Sequence, residues 1–235
     1  MKSILRELVP PVLWRCASRV RNRKPRSAPS AAQNGKFEYG VEQPPEFYDE
    51  TFASAEHWKL HYTESHYYPL WAVVVDRLRK AGVTRLIDIG CGPGQVASLL
   101  RDAGFANYLG IDFSELRIGQ ARKVCPELRF EVADVFRDRR LEDEPYDCAI
   151  VMEFLEHVDR DLDVLDRIRP GSMVLATVPN FPSAGHVRHF ADCEEVRRRY
   201  ESHFSDLDVS QILANRRGVT YFILQGTRKS AESAA

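Results

Sequence analysis

The chain has 235 residues, a hydrophobic content of 44% and a formal net charge of −1. This length fits one large or two small domains, and the apolar content is sufficient for a sizeable core. The five cysteines are scattered without a C-x-x-C pair, which excludes a disulfide framework and a cysteine zinc site. They favour a reducing compartment, the cytoplasm. No apolar run approaches the roughly 20 residues needed to span a bilayer.

The charge is distributed unevenly along the chain. Residues 1–40 contain nine basic and two acidic residues (+7), whereas the remainder contains 24 basic and 32 acidic residues (−8). Charges and Pro10-Pro11 within the first apolar stretch argue against a signal peptide. A basic amphipathic segment over residues 1–26 would contact the anionic inner face of a membrane, and a loosely docked tail is the alternative.

The elements predicted after this segment alternate between helices and strands. Apolar spacing predicts a helix over 69–81, which begins at a proline. Strands are then predicted near 85–90, 107–111, 128–132, 146–151 and 172–178, with helices near 94–103, 114–123 and 160–168 between them. A helix near 191–201 precedes strands near 206–210 and 219–225. This order predicts an α/β fold with a doubly wound, mostly parallel sheet.

We therefore divide the chain into four parts. They are a basic segment with a linker (1–40), an aromatic-rich segment (41–68), the α/β domain (69–226) and a disordered tail (227–235).

The first predicted strand runs into a glycine loop, Asp88-Ile-Gly-Cys-Gly-Pro-Gly94, followed by a helix. Its G-x-G-x-G spacing differs from the G-x-G-x-x-G that presents a pyrophosphate to a helix end. A carboxylate at Asp88 would repel a pyrophosphate and favours a ligand with a cationic group, such as an ammonium. Asp112 ends the second strand, where a carboxylate can accept both hydroxyls of a ribose. Asp134 ends the third strand, where its carboxylate can contact an adenine amino group.

Four segments resemble, in order and spacing, the motifs of the class I S-adenosylmethionine-dependent methyltransferases. They are D-I-G-C-G-P-G (88–94), G-I-D-F-S (110–114), A-D-V (133–135) and Y-D-C-A-I-V-M-E-F-L-E-H (146–157). The resemblance implies a Rossmann-like sheet of seven strands whose last strand is antiparallel. The glycine loop alone would also allow a nicotinamide-dependent dehydrogenase.

The same resemblance implies that S-adenosylmethionine is the cofactor. Asp88 and the glycines would hold its methionine end, and Asp112 its ribose. Ile111 and Phe113 would flank the adenine. Asp134 with Val135 would contact the adenine edge. The implied cofactor site as a whole consists of Asp88, Gly90, Cys91, Gly92, Gly94, Asp112, Phe113, Asp134, Val135 and Glu153.

Glu153, Glu156 and His157 are spaced i, i+3, i+4, so they would share one face of a helical turn. Two carboxylates and an imidazole suit a divalent metal ion. The E-x-x-E-H pattern resembles two methyltransferase families that use magnesium there. One methylates a catechol-like ring in ubiquinone synthesis, and the other the 2′-hydroxyl at the 3′ end of small RNAs. We therefore expect these residues to bind Mg²⁺. The alternative is that His157 caps the local turn and that Glu156 forms an ion pair on the surface.

A second candidate cluster, His186, Arg188 and His189, follows the fifth strand at the same edge of the sheet. It can supply a base, a fourth metal ligand or an anion clamp. The comparison with the RNA family favours His189 as the ligand, and the comparison with the quinone family favours His186. With His157, the two histidines are the predicted catalytic residues. A solvated surface loop is the alternative.

The resemblance also implies that the aromatic-rich segment closes over the cofactor and acceptor as a lid. Four aromatic residues are candidates for lining that pocket, although they fit an ordinary core equally well: Tyr62, Tyr67, Tyr68 and Trp71.

These observations predict a methyltransferase acting on a hydroxyl, or an amine, of a small molecule or a glycan. The N-terminal segment resembles that of methyltransferases of bacterial surface-polysaccharide synthesis, which would place a lipid-linked acceptor beside the membrane. An RNA 2′-O-methyltransferase is the first alternative, but nucleic acid is disfavoured by the −8 charge of residues 41–235. A noncatalytic S-adenosylmethionine-binding protein is the second. The sequence does not indicate an oligomeric state.

Overall fold

The computed structural model describes residues 39–215 and 218–230. The predictions for residues 1–38, including membrane contact, and for residues 231–235 lie outside the described residues. The central strands of the sheet are short, mostly apolar runs, as expected for strands buried on both faces of a sheet. The seven strands are β1 (Arg85–Ile89), β2 (Asn107–Asp112), β3 (Arg129–Val132), β4 (Cys148–Met152), β5 (Met173–Pro179), β6 (Asp208–Leu213) and β7 (Thr220–Thr227).

The strands form one sheet in the order β3-β2-β1-β4-β5-β7-β6. β1 to β5 pair in parallel, and β7 is antiparallel to both β5 and β6. The predicted Rossmann-like sheet of seven strands with an antiparallel last strand is therefore confirmed. The strand order reverses between β1 and β4, and ligands of doubly wound sheets bind at the carboxyl ends of the strands at such a switch point.

Helices cover both faces of the sheet because alternate strand residues point to opposite sides. Their bounds are α1 (Pro45–Ser54), α2 (Tyr68–Lys80), α3 (Gln95–Asp102), α4 (Glu115–Val124), α5 (Arg140–Asp143), α6 (Asp161–Arg167) and α7 (Cys193–Tyr200). Leu86 packs in the same core cluster as residues of α2, α3 and α4, whereas its neighbour Ile87 packs with residues of α6 and α7 on the other face.

The end of the ordered chain differs from its prediction. β7 runs to Thr227, and Arg228 forms a β-bridge with Phe204. Arg228 Nε also donates to the Leu165 carbonyl (2.6 Å), and the Lys229 amide donates to the His203 carbonyl (2.9 Å). The predicted disordered tail is therefore wrong for residues 227–229, because these bonds tie them to neighbouring elements.

Candidate active site

The glycine loop connects β1 to α3 at the switch point. Gly90, Gly92 and Gly94 have φ angles of 73°, 56° and 89°, which L side chains rarely adopt. A Cβ on Gly90 would lie 2.4 Å from Cδ2 of Phe154, so only glycine fits there. A Cβ on Gly92 would meet nothing within 4 Å, so the loop has open space on that side. The loop thus has left-handed backbone at all three glycines, and its binding of a ligand stays a prediction.

Asp88 lies beneath this loop and is buried. Its Oδ2 accepts a hydrogen bond from the Tyr108 hydroxyl at 2.6 Å. Burial raises the pKa of Asp88 to about 7, the hydrogen bond from Tyr108 opposes the rise, and the charge of Asp112 adds to it. The predicted contact of Asp88 with a ligand ammonium stays a prediction. Its partner Tyr108 was not predicted; it stands on β2, which pairs in parallel with β1.

Asp112 holds the glycine loop from the end of β2. Its Oδ2 accepts from the Gly92 amide (3.0 Å), and its Oδ1 accepts from the Ser114 amide (2.9 Å). Burial raises the pKa of Asp112, while Arg117 and these two amides lower it. Each carboxylate oxygen can accept a further hydrogen bond. Asp112 is thus compatible with the predicted ribose contact, which stays a prediction.

The predicted adenine contacts lie nearby at the ends of β2 and β3. Phe113 is 36% exposed, whereas Val135 is buried; Cys91, in the glycine loop, is also buried but was not predicted to contact the adenine. Asp134 is half-buried, and its Oδ1 accepts from the Phe136 amide at 2.9 Å. The contacts of Phe113, Asp134 and Val135 with an adenine stay predictions.

The turn after β4 differs from the predicted single helical face. Glu153 has a φ of +49°, and its amide donates to the Thr177 hydroxyl oxygen at 2.9 Å. Only Leu155–His157 then form a short 3₁₀ turn. The prediction that Glu153, Glu156 and His157 share a helical turn is therefore wrong, because Glu153 has left-handed backbone and lies before the turn that contains the other two residues.

The structure brings together a different trio, Glu156, His157 and His186. Each has a possible ligand atom within 4.8 Å of those of the other two. Both imidazoles bond a backbone carbonyl through Nδ1, His157 that of Gly185 (2.8 Å) and His186 that of Phe181 (3.2 Å). A carbonyl only accepts, so Nδ1 carries the proton, and each neutral ring has Nε2 as its acceptor nitrogen. His157 Nε2 lies 3.9 Å from Glu156 Oε1.

Two carboxylates of this region have buried oxygens without a hydrogen-bond partner: Oε1 of Glu153 and both oxygens of Glu156. Burial raises the pKa of Glu153 to about 8, and the Thr177 hydroxyl opposes this rise. Burial, with the nearby charge of Glu153, raises the pKa of Glu156 well above its usual range. The site therefore disfavours two bare carboxylates, and it favours either bound protons or a bound cation.

Burial has the opposite effect on the two histidines. It lowers the pKa of His157 to about 3, helped by His186, and that of His186 to about 4. Both rings are therefore neutral at physiological pH.

Two residues of the loop after β5 do not join the cluster. His189 Nδ1 is bonded to the Tyr39 hydroxyl at 2.6 Å. The Arg188 guanidinium is directed to backbone carbonyls and to Asp161, so the predicted anion clamp is wrong. Of the two predicted alternatives for a further ligand, His186 is the one that lies with His157.

The aromatic-rich segment covers this edge of the sheet through α1. The Ser114 hydroxyl bonds Asp49 Oδ1 at 2.5 Å, and Arg117 Nη2 donates to the Tyr48 carbonyl at 2.7 Å. The Tyr48 ring packs against both Phe113 (5.5 Å) and His157 (5.7 Å between ring centroids). Tyr48 thus connects the predicted adenine side to the histidine pair. Sequence reasoning missed it, although it stands in the segment whose aromatic content predicts a lid.

The aromatic residues proposed to line the pocket pack largely with each other. Tyr67 contacts Trp71 and Tyr221, with ring centroids 5.6 and 5.5 Å apart. Glu153 and Glu156 are close enough to raise the pKa of Tyr67, although burial is the larger cause. Tyr62 instead donates its hydroxyl to Asp102 (2.8 Å).

Comparison with solved structures supports the fold. The chain aligns with a Burkholderia thailandensis 1,6-didemethyltoxoflavin-N1-methyltransferase, solved with that compound and S-adenosylhomocysteine, at a TM-score of 0.60. The identity is 17%, and the match covers 85% of this chain and 98% of the other. This likeness, with the strand order described above, shows that the chain has the Rossmann-like fold of that methyltransferase.

Sequence comparison gives higher identities than the structural match, but over a shorter part of the chain. Residues 86–170 match the family model described as a methyltransferase domain. Trans-aconitate 2-methyltransferase of Delftia acidovorans is 41% identical over 66 residues, which is 27% of this chain and 24% of that protein. The Streptomyces coelicolor protein of the same name is 33% identical over 129 residues, 49% and 42% of the two chains. The chain thus spans less than half the length of these two relatives.

One further property concerns membranes. Among residues 39–215 and 218–230, no helix is long and apolar enough to cross a membrane.

Proposed function

We propose that this chain is an S-adenosylmethionine-dependent methyltransferase that methylates a hydroxyl, or an amine, of a small-molecule or glycan acceptor. The observation that carries the proposal is the cluster of Glu156, His157 and His186, which adjoins the glycine loop. Phe154, directly before the turn, lies against Gly90, and Tyr48 contacts both His157 and Phe113. A cofactor on the loop and an acceptor on the cluster would therefore be neighbours.

The residues of the loop fit the cofactor. S-adenosylmethionine supplies a methyl group already activated on a sulfonium. Gly92 leaves open space above the loop, and Asp112 retains free acceptor capacity toward a ribose. α1 closes over this edge and would exclude water, so that the chain's main contribution is in-line placement of the acceptor.

The cluster also fits a divalent cation, and we propose Mg²⁺. Glu156 and the Nε2 atoms of His157 and His186 would hold it, with His186 in place of the predicted Glu153, which is not part of that trio. The unpartnered oxygens of Glu156 and the carbonyl-held Nδ1 atoms are the properties expected of ligands awaiting a cation. A cation bound there would lower the pKa of an acceptor hydroxyl.

The histidine pKa values favour this interpretation over general-base catalysis. A general base works best with a pKa near the operating pH, and His157 at about 3 is roughly four units below it. A neutral imidazole is, by contrast, the form that binds a metal.

The test is transfer of a labelled methyl group from S-adenosylmethionine to a panel of acceptors. The panel contains catechols, lipid extract, RNA and trans-aconitate, the substrate in the name of the relatives. Label in catechols or lipid extract supports the proposal, whereas label confined to RNA or trans-aconitate contradicts the proposed acceptor class. Cofactor binding without transfer to any acceptor would favour the noncatalytic alternative.

Matched variants test the cluster. Glu156→Gln, His157→Ala and His186→Ala are expected to lower turnover at least about tenfold while the affinity for S-adenosylmethionine stays within about twofold. Glu127→Gln, a carboxylate exposed on the surface, is the control. EDTA should abolish activity and Mg²⁺ restore it. Full activity in EDTA, together with active Glu156→Gln protein, would contradict the metal site.

A further inference from the structure

The two segments that supply the cluster are joined by their backbones. The turn after β4 carries Glu156 and His157, and the loop after β5 carries His186. The Val187 amide donates to the Glu156 carbonyl at 2.7 Å, so the residue after His186 is bonded directly to a member of the turn. Arg188, the next residue, extends its side chain to the backbone of the same turn.

The Arg188 guanidinium binds carbonyls on both sides of Glu156 and His157. Its Nη1 donates to the carbonyls of Leu155 and Val158, the latter at 2.5 Å, and its Nη2 donates to the carbonyl of Asp159 at 3.1 Å. A planar guanidinium can serve several acceptors at once in a fixed geometry, which an ammonium cannot. These bonds fix the direction in which the turn presents its side chains.

A buried acid fixes Arg188 from the other side. Asp161 is fully buried at the start of α6, and its Oδ2 lies 3.3 Å from Arg188 Nη1. Arg199 forms a two-pronged ion pair with the same carboxylate (2.6 and 2.7 Å), and the Tyr200 hydroxyl donates to it at 2.8 Å. A buried carboxylate is tolerated only with such partners, so Asp161 ties Arg188 to α6 and α7.

We infer that Arg188 is a positioning residue that holds Glu156, His157 and His186 in the arrangement that binds a divalent cation. The inference rests on the proposed function for the identity of the ligand. The contacts of Arg188 with the turn do not depend on that function.

The experiment compares Arg188→Met and Arg188→Lys with Arg228→Met in the full chain. Arg228 is the matched control, since its half-buried guanidinium also donates to backbone carbonyls and to a carboxylate, Asp166, but at the opposite edge of the sheet. Two quantities are measured: Mn²⁺ affinity by calorimetry and amide hydrogen exchange at Val187 and His157.

We expect both Arg188 variants to bind Mn²⁺ about tenfold or more weakly, as when an outer-shell partner is removed. Exchange at Val187 should be at least about tenfold faster, because the turn opens locally. Affinity for S-adenosylmethionine should stay within about twofold, and Arg228→Met should match the wild type in both quantities. Arg188→Lys keeps a charge beside Asp161 and provides the same comparison if Arg188→Met does not fold.

Equal Mn²⁺ affinity and equal Val187 exchange in the Arg188 and Arg228 variants would overturn the inference. If the wild-type protein binds no Mn²⁺, the proposed metal site fails, and the Val187 exchange rates alone decide whether Arg188 positions the turn.

Discussion

Replacing Asp88 by asparagine should make the ligand-free protein more stable at high pH. The asparagine side chain keeps an oxygen that accepts the hydrogen bond from the Tyr108 hydroxyl, so the change removes the charge and little else. The pKa of Asp88 is raised from 3.8 to about 7 in the folded protein, where burial disfavours the carboxylate. Folding therefore favours the protonated acid, whose stabilising effect is complete below pH 3.8 and is lost as the pH rises through 7.

The size of the effect follows from the shift. A rise from 3.8 to about 7 corresponds to about 4 kcal/mol over the whole titration, at about 1.4 kcal/mol per pKa unit. Between pH 5 and 8, integration of the excess protons bound by the folded state gives a loss of about 2.5 kcal/mol. His157 and His186 also titrate, with lowered pKa values, but they do so in both proteins and cancel in the difference.

The assay is urea-induced unfolding of wild-type and Asp88→Asn protein at pH 5, 6, 7 and 8, without cofactor. We expect the free energy of unfolding of the wild type to fall by about 2.5 kcal/mol more than that of the variant. Asp147→Asn is the control, because the pKa of Asp147 is lowered to about 2 and its ionisation is complete before pH 5. If the free energies of unfolding of wild-type and Asp88→Asn protein differ by the same amount at all four pH values, the raised pKa of Asp88 is refuted.

Two further predictions concern the loop and the segment above it. Gly90→Ala should abolish measurable cofactor binding and destabilise the fold more than Gly82→Ala; both have positive φ, so the difference measures the clash with Phe154. Calorimetry and thermal unfolding check it, and equal effects would contradict it. Asp49→Ala should speed proteolysis within α1 while global stability changes by less than about 1 kcal/mol, because it breaks the contact with Ser114. Unchanged proteolysis would show that this contact does not hold α1.

Much of the fold could be predicted because its signals are local. Apolar runs near Leu86 and Ile150 specify buried strands, and the glycines of the loop after β1 specify left-handed backbone. The ends of elements were less well predicted. β6 begins at Asp208 rather than near 206, and the chain stays ordered past 226, because pairing with β7 and the bonds of Arg228 decide these limits.

The candidate site was predicted in part, and its main error has one cause. The spacing of Glu153, Glu156 and His157 predicts a common helical face, but the left-handed conformation of Glu153 places it outside that turn. Such a conformation in a non-glycine residue depends on surrounding contacts, here the Thr177 hydroxyl on β5.

The sequence alone determined the class of fold and the position of the glycine loop, because residues close in the chain encode both. Tertiary structure decided which histidine stands beside His157. His186 and His189 are three positions apart, and only the path of the loop, with Val187 bonded to Glu156, brings one into the cluster and leaves the other against Tyr39. The role of Arg188 was also undetermined by sequence, because its partners are backbone carbonyls about 30 positions away and a buried acid on α6.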